Sequence, residues 1–450
     1  MIGKKKTDVR IQNVRTSRVN YKYRTPMKFG GRTVTECYLL NVECEVATRG
    51  GRTARGFGSM PLSNTWAFPS AVLDYDQTLG AMTALADRCA KICEGYAEFG
   101  HPVEIGMGLE EQFLDAAARL TEELALAQSI PKLATLVTGS AFDAAIHDAF
   151  GKAHGLNCYH TYTRGYMSYD LGAYLGEGFK GSWLDQYVSR EPVPKLPLYH
   201  LVGALDPLTP ADVKTPVGDG LPENLPEWIE RDGLSHLKIK LNGDDSSWDL
   251  ERVIAVDRIA SGIHEGTKWR YSLDFNERCQ NVEYLVDLLR RLRERSPMGF
   301  ERVQYVEQPT ARDLKANPQN RMHAAAKLKP VVIDESLTDF ESLILAGEMG
   351  YTGVALKACK GQSQSLLLAA AARKFGLFLC VQDLTCPGAS LIQSASLAAH
   401  IPGVSGIEGN SRQYCPVANG GWEDRFPGVF RIRGGEMETS GLNLPGLGAV

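Results

Sequence analysis

Six charged side chains close short apolar runs in the second half of the chain, and as a set they could move a proton on an activated carbon. They are Lys238 and Lys240 in HLKIKL (236–241), Asp274 in YSLDF (271–275), Glu307 in VQYVE (303–307), Asp334 in VVIDE (331–335) and Lys357 in GVALK (353–357). Three carboxylates with no His or Cys among them are hard oxygen donors, which favour Mg2+, or Mn2+, left partly open to water and a substrate oxygen. Without a cation they would repel one another, and a carboxylate at the end of a buried apolar strand is costly. Lys238 and Lys240 lie two apart, so on a regular strand they share a face, while Lys357 comes four runs later. Ammonium groups on opposite walls can meet opposite faces of a bound carbon acid, one removing a proton and the other returning it or stabilising charge. A lysine is useful as a base only if its pKa falls toward neutrality, and burial beside another cation does that. For Lys238, an electrostatic role fits better than acid–base work.

The spacing strengthens the set. Acidic residues are 53 of 450, so three consecutive strand ends would be acidic by chance roughly twice in a thousand. The successive intervals along Asp274, Glu307, Asp334 and Lys357 are 33, 27 and 23 residues, each the length of one strand–helix repeat. Eight strand-like runs recur in this region, at 198–203, 236–241, 271–275, 303–307, 331–335, 353–357, 377–382 and 404–408, with a helical segment between each pair. That alternation predicts parallel βαβ units, and eight strands are the number that closes a barrel whose strand C-termini carry the chemistry. An open doubly wound sheet is the rival arrangement, but no glycine fingerprint follows the first strand, so a dinucleotide site has no support.

The first third reads differently. Residues 35–46 form a strand pattern, followed by a Gly-rich turn at 49–52 and a second short strand, and residues 71–152 have helical spacing rich in Ala and Leu. Between 156 and 188 lie six tyrosines, one Phe and one Trp among glycines, a pattern suited to an active-site cover, a subunit contact or an ordinary packed excursion. A net charge of −4 offers no broad basic field for nucleic acid or an anionic membrane. The basic N-terminus lacks the apolar stretch of a secretory signal, and no window reaches 18 uninterrupted apolar residues, so a cytoplasmic protein is expected. The ten cysteines contain no CxxC pair and read as reduced core residues.

With these residues in hand, the chain resembles the enolase superfamily, within it the mandelate racemase and muconate lactonizing enzyme group and its muconate-lactonizing-enzyme-like subgroup. The resembling segments are LKIKLNG (237–243), LDFNE (273–277), VEQP (306–309), IDES (333–336) and ALKACKG (355–361), with weaker matches at AAIHDAFGKAHG (144–155) and PGLG (445–448). The resemblance implies an α/β fold: a modified (β/α)7β TIM barrel with an N-terminal α+β capping domain. The expected division is a cap over 1–155, an aromatic-rich connector over 156–195, the barrel over 196–408 and a C-terminal segment over 409–450 that returns to the cap. It also implies Mg2+ held by Asp274, Glu307 and Asp334, acid–base chemistry by Lys240 and Lys357, and Asn276 and Glu335 orienting ligands or contacting substrate. The cap loops 24–33 and 57–69 are expected to shape specificity.

Departures from the family narrow the reading. A mandelate-racemase-like site needs a His on the seventh strand backed by an Asp on the sixth, where this chain has Gln382-Asp383 and Lys357. The turn Gly56-Phe57-Gly58-Ser59 lacks the Glu the family often has after the second Gly, and Glu408-Gly409-Asn410 replaces the paired aspartates of dipeptide epimerases. Asp383 and Glu408 could accept hydrogen bonds from a substrate's distal part or serve salt bridges; His200 suits packing or substrate contact better than metal binding. The expected function is α-proton abstraction from a small-molecule carboxylate to an enediolate, with 1,1-proton transfer (racemase or epimerase) favoured over cycloisomerisation or syn-dehydration, in a homo-oligomer. A non-catalytic ligand-binding protein and a metal-dependent hydrolase are the rivals. The first leaves the buried charges without purpose, and the second lacks His ligands.

Overall fold

Alternating apolar positions build the N-terminal sheet. A computed structural model describes residues 5–29, 31–264 and 266–448; Met1–Lys4, part of the basic N-terminal run, lie outside the described residues. Strand β1 (Val9–Phe29) pairs antiparallel with β2 (Arg32–Thr48), which pairs antiparallel with β3 (Thr53–Pro61). Leu40, Val42, Cys44 and Val46 alternate along β2 and are all buried. The sequence pattern does not announce β1, because only Val9, Ile11, Val14 and Met27 among its described side chains are buried and the alternation is too sparse to register. Two expectations about loops change with it: most of 24–33 is the tip of the β1–β2 hairpin, and Gly56–Ser59 is strand rather than turn.

Helices α1 (Tyr75–Gly95), α2 (Pro102–Glu123) and α3 (Lys132–His154) cover the sheet. The two glycines of β3 let α3 approach to backbone contact: a Cβ at Gly56 would lie 2.1 Å from the Ala145 carbonyl oxygen, and one at Gly58 would lie 1.9 Å from that of Ala141. Helix α3 is buried on every side from Leu133 to Gly151, apart from residues near its ends, which fits a helix held between the cap sheet and the barrel.

The barrel follows in chain order: β4 (Lys195–Val202), α4 (Leu225–Asp232), β5 (His236–Lys240), α5 (Ser246–Ile263), β6 (Arg270–Asp274), α6 (Val282–Arg295), β7 (Val303–Glu307), β8 (Val331–Ile333), α7 (Phe340–Glu348), β9 (Gly353–Leu356), α8 (Gln362–Lys374), β10 (Phe378–Val381), α9 (Ala389–His400) and β11 (Val404–Glu408). The strands pair in that order, all parallel, and β11 returns to β4 through Ile407 opposite Leu198 and Glu408 opposite Tyr199. The sheet is therefore a closed eight-stranded barrel, and with the antiparallel cap it is the modified TIM barrel expected from the sequence. Tyr199 of β4 and Tyr305 of β7 meet at 5.8 Å although their strands are not neighbours, so both rings lie in the barrel interior, with Val332, Ala355 and Cys380. Strand β12 (Glu436–Glu438) then adds antiparallel to the outer edge of β4.

The tail returns to the cap, where the Leu447 N–H donates to Asp148 Oδ1 at 2.9 Å and the Cys158 N–H donates to the Gly446 carbonyl at 2.7 Å. The aromatic-rich segment is a packed excursion between cap and barrel helices. Tyr159 stacks on His400 at 3.7 Å and accepts from Gln362 at 2.9 Å, Tyr162 pairs with His147 Nδ1 at 2.9 Å, and Phe179 packs edge-on to Phe340 and Phe375. Among the described residues, no helix is long and apolar enough to cross a membrane.

Candidate active site

Asp274 and Glu307 end strands β6 and β7, Asp334 follows the last residue of the next strand, β8, and each is about 1% exposed. Register explains their alignment: Lys240 sits opposite Asp274, and Asp274 opposite Glu307. Lys240 therefore stands at one end of the carboxylate row, on β5, and Lys357 at the other, one residue past β9. Lys357 Nζ lies 2.8 Å from Asp334 Oδ2; Lys240 Nζ bonds Asp274 Oδ2 and donates to Asn276 Oδ1 at 2.9 Å. Lys238, also on β5, reaches Asp274 at 3.0 Å, Glu307 at 2.9 Å and Glu408 at 2.7 Å, so one ammonium joins the ends of β6, β7 and β11.

The chain strains its backbone to hold these groups. Asn276 and Glu277 follow Asp274 at φ +45° and +66°, and Gln308 follows Glu307 at φ +25°. The strained turn lets the Asn276 N–H donate to Asp274 Oδ1 at 2.8 Å while its side chain meets Lys240. Gln308 Oε1 accepts from the Asp334 N–H at 3.0 Å, and its amide donates to the Thr310 carbonyl at 3.2 Å. Glu277 and Arg312 pair through Arg312 Nε at 2.8 Å, and Arg312 Nη1 donates to the Trp66 carbonyl at 3.1 Å, which ties the cap to the rim.

Electrostatics follow from burial and pairing. Burial and the neighbouring Asp274 push Glu307 well above the usual carboxylate range. Burial also opposes ionisation of Asp274, but Lys238 and Lys240 outweigh it and hold that carboxyl well below the range. Glu335, buried beside Asp334, is pushed up to about 8; Asp383, buried and within range of Glu408, is pushed up to about 6. The lysines differ from expectation. Burial alone would lower Lys238 and Lys357, but the carboxylates around them reverse the effect and hold both above the ordinary lysine value.

Four residues of the site have no role assigned by sequence pattern alone. Lys360 donates to Asp334 Oδ1 at 3.1 Å and to the Asp334 carbonyl. Gln382 donates to Glu307 Oε2. Trp66 of the cap donates to Glu335 Oε1 at 2.9 Å, and its ring lies 4.4 Å from Lys357 Nζ. Asp143 of α3 accepts from the Ser363 N–H at 2.7 Å and so anchors the first turn of α8, just beyond Lys357 and Lys360. Lys360 lies within the ALKACKG segment and Gln382 at the end of the seventh barrel strand, so both could have been singled out. Trp66 and Asp143 reach the site only through tertiary closure.

The remaining candidates are placed as follows. Glu408 is engaged by Lys238 and by Asn410 Nδ2 at 3.2 Å; Asp383 Oδ2 accepts from the Cys386 and Asn410 N–H groups at 3.2 and 3.1 Å, and Oδ1 has no hydrogen-bond partner among the described residues. His200 is buried against Trp228, 5.2 Å between rings, with burial pushing its pKa well down. A cavity of about 320 Å3 lies between Arg24, the end of β4 and the 205–225 segment, and none of the six charged residues lines it. Their chemistry, rather than cavity size, therefore locates the site. Among the described residues, no three His, Cys, Asp or Glu side chains stand arranged around one point; ammonium groups occupy the spaces between the carboxylates. By donor type and adjacency, Asp274, Glu307 and Asp334 nevertheless suit a hard divalent cation.

The family model described as "Enolase C-terminal domain-like" matches residues 221–450. No curated protein matches the chain. Among solved structures, the chain is similar to the L-Ala-D/L-Glu epimerase from Bacillus subtilis, with a TM-score of 0.62, 18% identity, and 98% of this chain and 99% of that one covered. It is similar to the muconate lactonizing enzyme from Pseudomonas fluorescens complexed with muconolactone, at 0.63 and 18%, covering 98% and 96%. It is similar also to the dipeptide epimerase from Enterococcus faecalis V583 complexed with Mg and L-Leu-L-Tyr, at 0.62 and 16%, covering 98% and 99%. The match over more than half its length, on a barrel of this form, places the chain in the enolase C-terminal domain-like family, of the mandelate racemase and muconate lactonizing enzyme group.

Proposed function

We propose that the protein is an isomerase that abstracts the α-proton of a small-molecule carboxylate, most simply as a racemase or epimerase. One observation carries this reading: Lys240 and Lys357 stand at opposite ends of a row of three buried carboxylates. Asp274, Glu307 and Asp334 would hold Mg2+ or Mn2+, which supplies positive charge opposite the substrate carboxylate. Lys240, oriented by Asn276, holds or takes the proton on one face of the α-carbon, and Lys357, backed by Trp66, does so on the other, which requires that a cation on Asp334 weaken the pull that holds Lys357 protonated. Lys238 balances the charge of Asp274, Glu307 and Glu408 without touching substrate. Trp66 and Arg312 bring the cap down over this end of the barrel and exclude water. Cycloisomerisation and syn-elimination use the same parts, and the lactonizing enzymes among the similar structures favour keeping the former as the second reading.

The test is α-proton exchange in D2O, followed by proton NMR with Mg2+ present, over a panel of dipeptides, N-acyl amino acids and unsaturated dicarboxylic acids. Exchange with inversion supports racemisation or epimerisation, whereas a lactone product or a loss of water supports the alternatives. Lys240→Ala and Lys357→Ala should each abolish turnover; wild-type rates in either variant would overturn the assignment. In the same reading the protein works in the cytoplasm as a homo-oligomer, an assembly that light scattering of the purified chain checks.

A further inference from the structure

Along β4, Tyr199 faces the barrel interior, so its neighbour His200 faces outward, against Trp228 of α4 and away from the row of charged side chains. On that outer side the segment after β4, the start of α4 and Arg24–Pro26 of the cap hairpin enclose the cavity of about 320 Å3. Sites for small molecules span about 300–1,000 Å3. Most of its wall is apolar, and Leu205 and Val217 on its rim are 48% and 42% exposed, so the cavity opens to solvent. Two oxygens in the wall lack hydrogen bonds among the described residues. Gln413, 5% exposed, donates its amide to the Leu201 carbonyl at 2.9 Å and to His200 Nε2 at 3.2 Å, which leaves Oε1 as a free acceptor. Asp206 takes the Gly203 N–H at 2.8 Å and the Tyr414 hydroxyl at 2.5 Å, both on Oδ2, and Oδ1 takes none. Neither Gln413 Oε1 nor Asp206 Oδ1 is among the buried atoms without partners, so solvent reaches both. Tyr414, next to Gln413 in the chain, brings the two acceptors to one wall through its bond to Asp206.

We propose that this cavity is a second ligand site, outside the barrel wall and independent of the proton-transfer chemistry, for a small primary amine with an apolar body. Its ammonium donates to Asp206 Oδ1 and Gln413 Oε1, and its hydrocarbon part lies along Leu205, Val213 and Trp228. The charges around the cavity favour that sign. Asp206, Asp212 and Glu223 line it against Arg24 and Lys214, and Arg24 is already committed to Asp219, which accepts from Nη2 at 2.9 Å and from Nε. Burial raises the Asp206 carboxyl, and the bonds from Tyr414 and Gly203 and the charges of Arg252 and Arg24 oppose that rise. Two open acceptors beside apolar surface call for a donor-rich head on a greasy chain, which an acid or a plain hydrocarbon does not supply. Because Arg24–Pro26 belong to the cap, an occupant also joins cap and barrel at this corner.

The full chain labelled with 5-fluorotryptophan gives a 19F signal for each of its six tryptophans, assigned by single Trp→Phe variants. Trp228 reports this cavity and Trp66 the candidate active site. Hexylammonium, hexan-1-ol and hexanoate, probes of one length, are titrated in metal-free buffer. Hexylammonium should shift the Trp228 signal saturably and leave Trp66 unmoved, with hexan-1-ol about tenfold weaker, the worth of a charge-assisted hydrogen bond, and hexanoate weaker still. Asp206→Asn should weaken hexylammonium about tenfold. Leu205→Arg, on the exposed rim where folding is not at stake, should weaken it as well, which keeps the test valid if the Asp206 variant does not fold. Hexanoate or hexan-1-ol binding as tightly as hexylammonium, a shift at Trp66 in place of Trp228, or no saturable shift with hexylammonium would each overturn the proposal.

Discussion

Replacing Lys238 with Met removes the only charge in that side chain while keeping most of its volume, and the structure fixes what is lost. Its ammonium lies within 3.0 Å of Asp274, Glu307 and Glu408, each 1–2% exposed. Asp274 keeps Lys240, Glu307 keeps Gln382 and Glu408 keeps Asn410, but one oxygen of Glu307 and one of Glu408 lose their bond in a dry setting. Breaking a buried pair by deleting one partner costs about 3–5 kcal/mol. With an unfolding entropy of about 2.1 cal/mol/K per residue over one cooperative unit of 450 residues, that is a fall in Tm of about 3–5 °C. Calorimetry of both proteins without divalent cation measures it. Adding Mg2+ should narrow the gap, because the variant's carboxylates gain more from a cation than the wild type's do. A variant as stable as the wild type in metal-free buffer would show that Lys238 does not offset these charges.

Three further outcomes follow from the geometry. Trp66→Ala removes a side chain 5% exposed together with its bond to Glu335, and should lower stability by about 3–5 kcal/mol in chemical denaturation and raise KM once a substrate is found, with Trp66→Phe intermediate. Gly58→Ala places a Cβ 1.9 Å from the Ala141 carbonyl and should destabilise the cap by about 1–3 kcal/mol or more, read as lost hydrogen-exchange protection in α3. Burial pushes Glu110 up to about 7 from 4.5, against the pull of Lys132 at 3.8 Å. The folded state thus holds an extra proton, so stability from this group is full below pH 4.5, falls as pH rises to 7 and is level above. Glu110→Gln should erase that fall and be the more stable protein at pH 8 by up to about 3 kcal/mol; an unchanged pH profile would refute the assignment.

The barrel was legible because each inner strand is a short apolar run, and the site because those runs end in charge: Asp274, Glu307 and Lys240 close β6, β7 and β5 where the pattern puts them. What escaped the sequence lacks a local signal. Strand β1 is too polar for its alternation to show, and the tyrosines at 159 and 162 look the same whether they cover a site or, as here, bind helix to helix. Trp66 lies 291 residues from Lys357, and nothing near either residue announces the other. The drop in pKa expected of a basic lysine is absent at Lys357 for a related reason: spacing reveals that carboxylates are near, but not that they outweigh burial there.

The bond between Asp148 and Leu447 spans 299 residues and also bears on how the molecule is made. A ribosome adding about 5–20 residues per second needs roughly 15–60 s to travel from one to the other. For that interval the nascent α3 lacks the strand of chain that completes its carboxylate's shell, although the cap sheet that flanks it has already emerged. Completion of the contacts around Asp148 therefore waits for Leu447, and this part of the nascent protein reaches its final form only after the barrel between them has been synthesised.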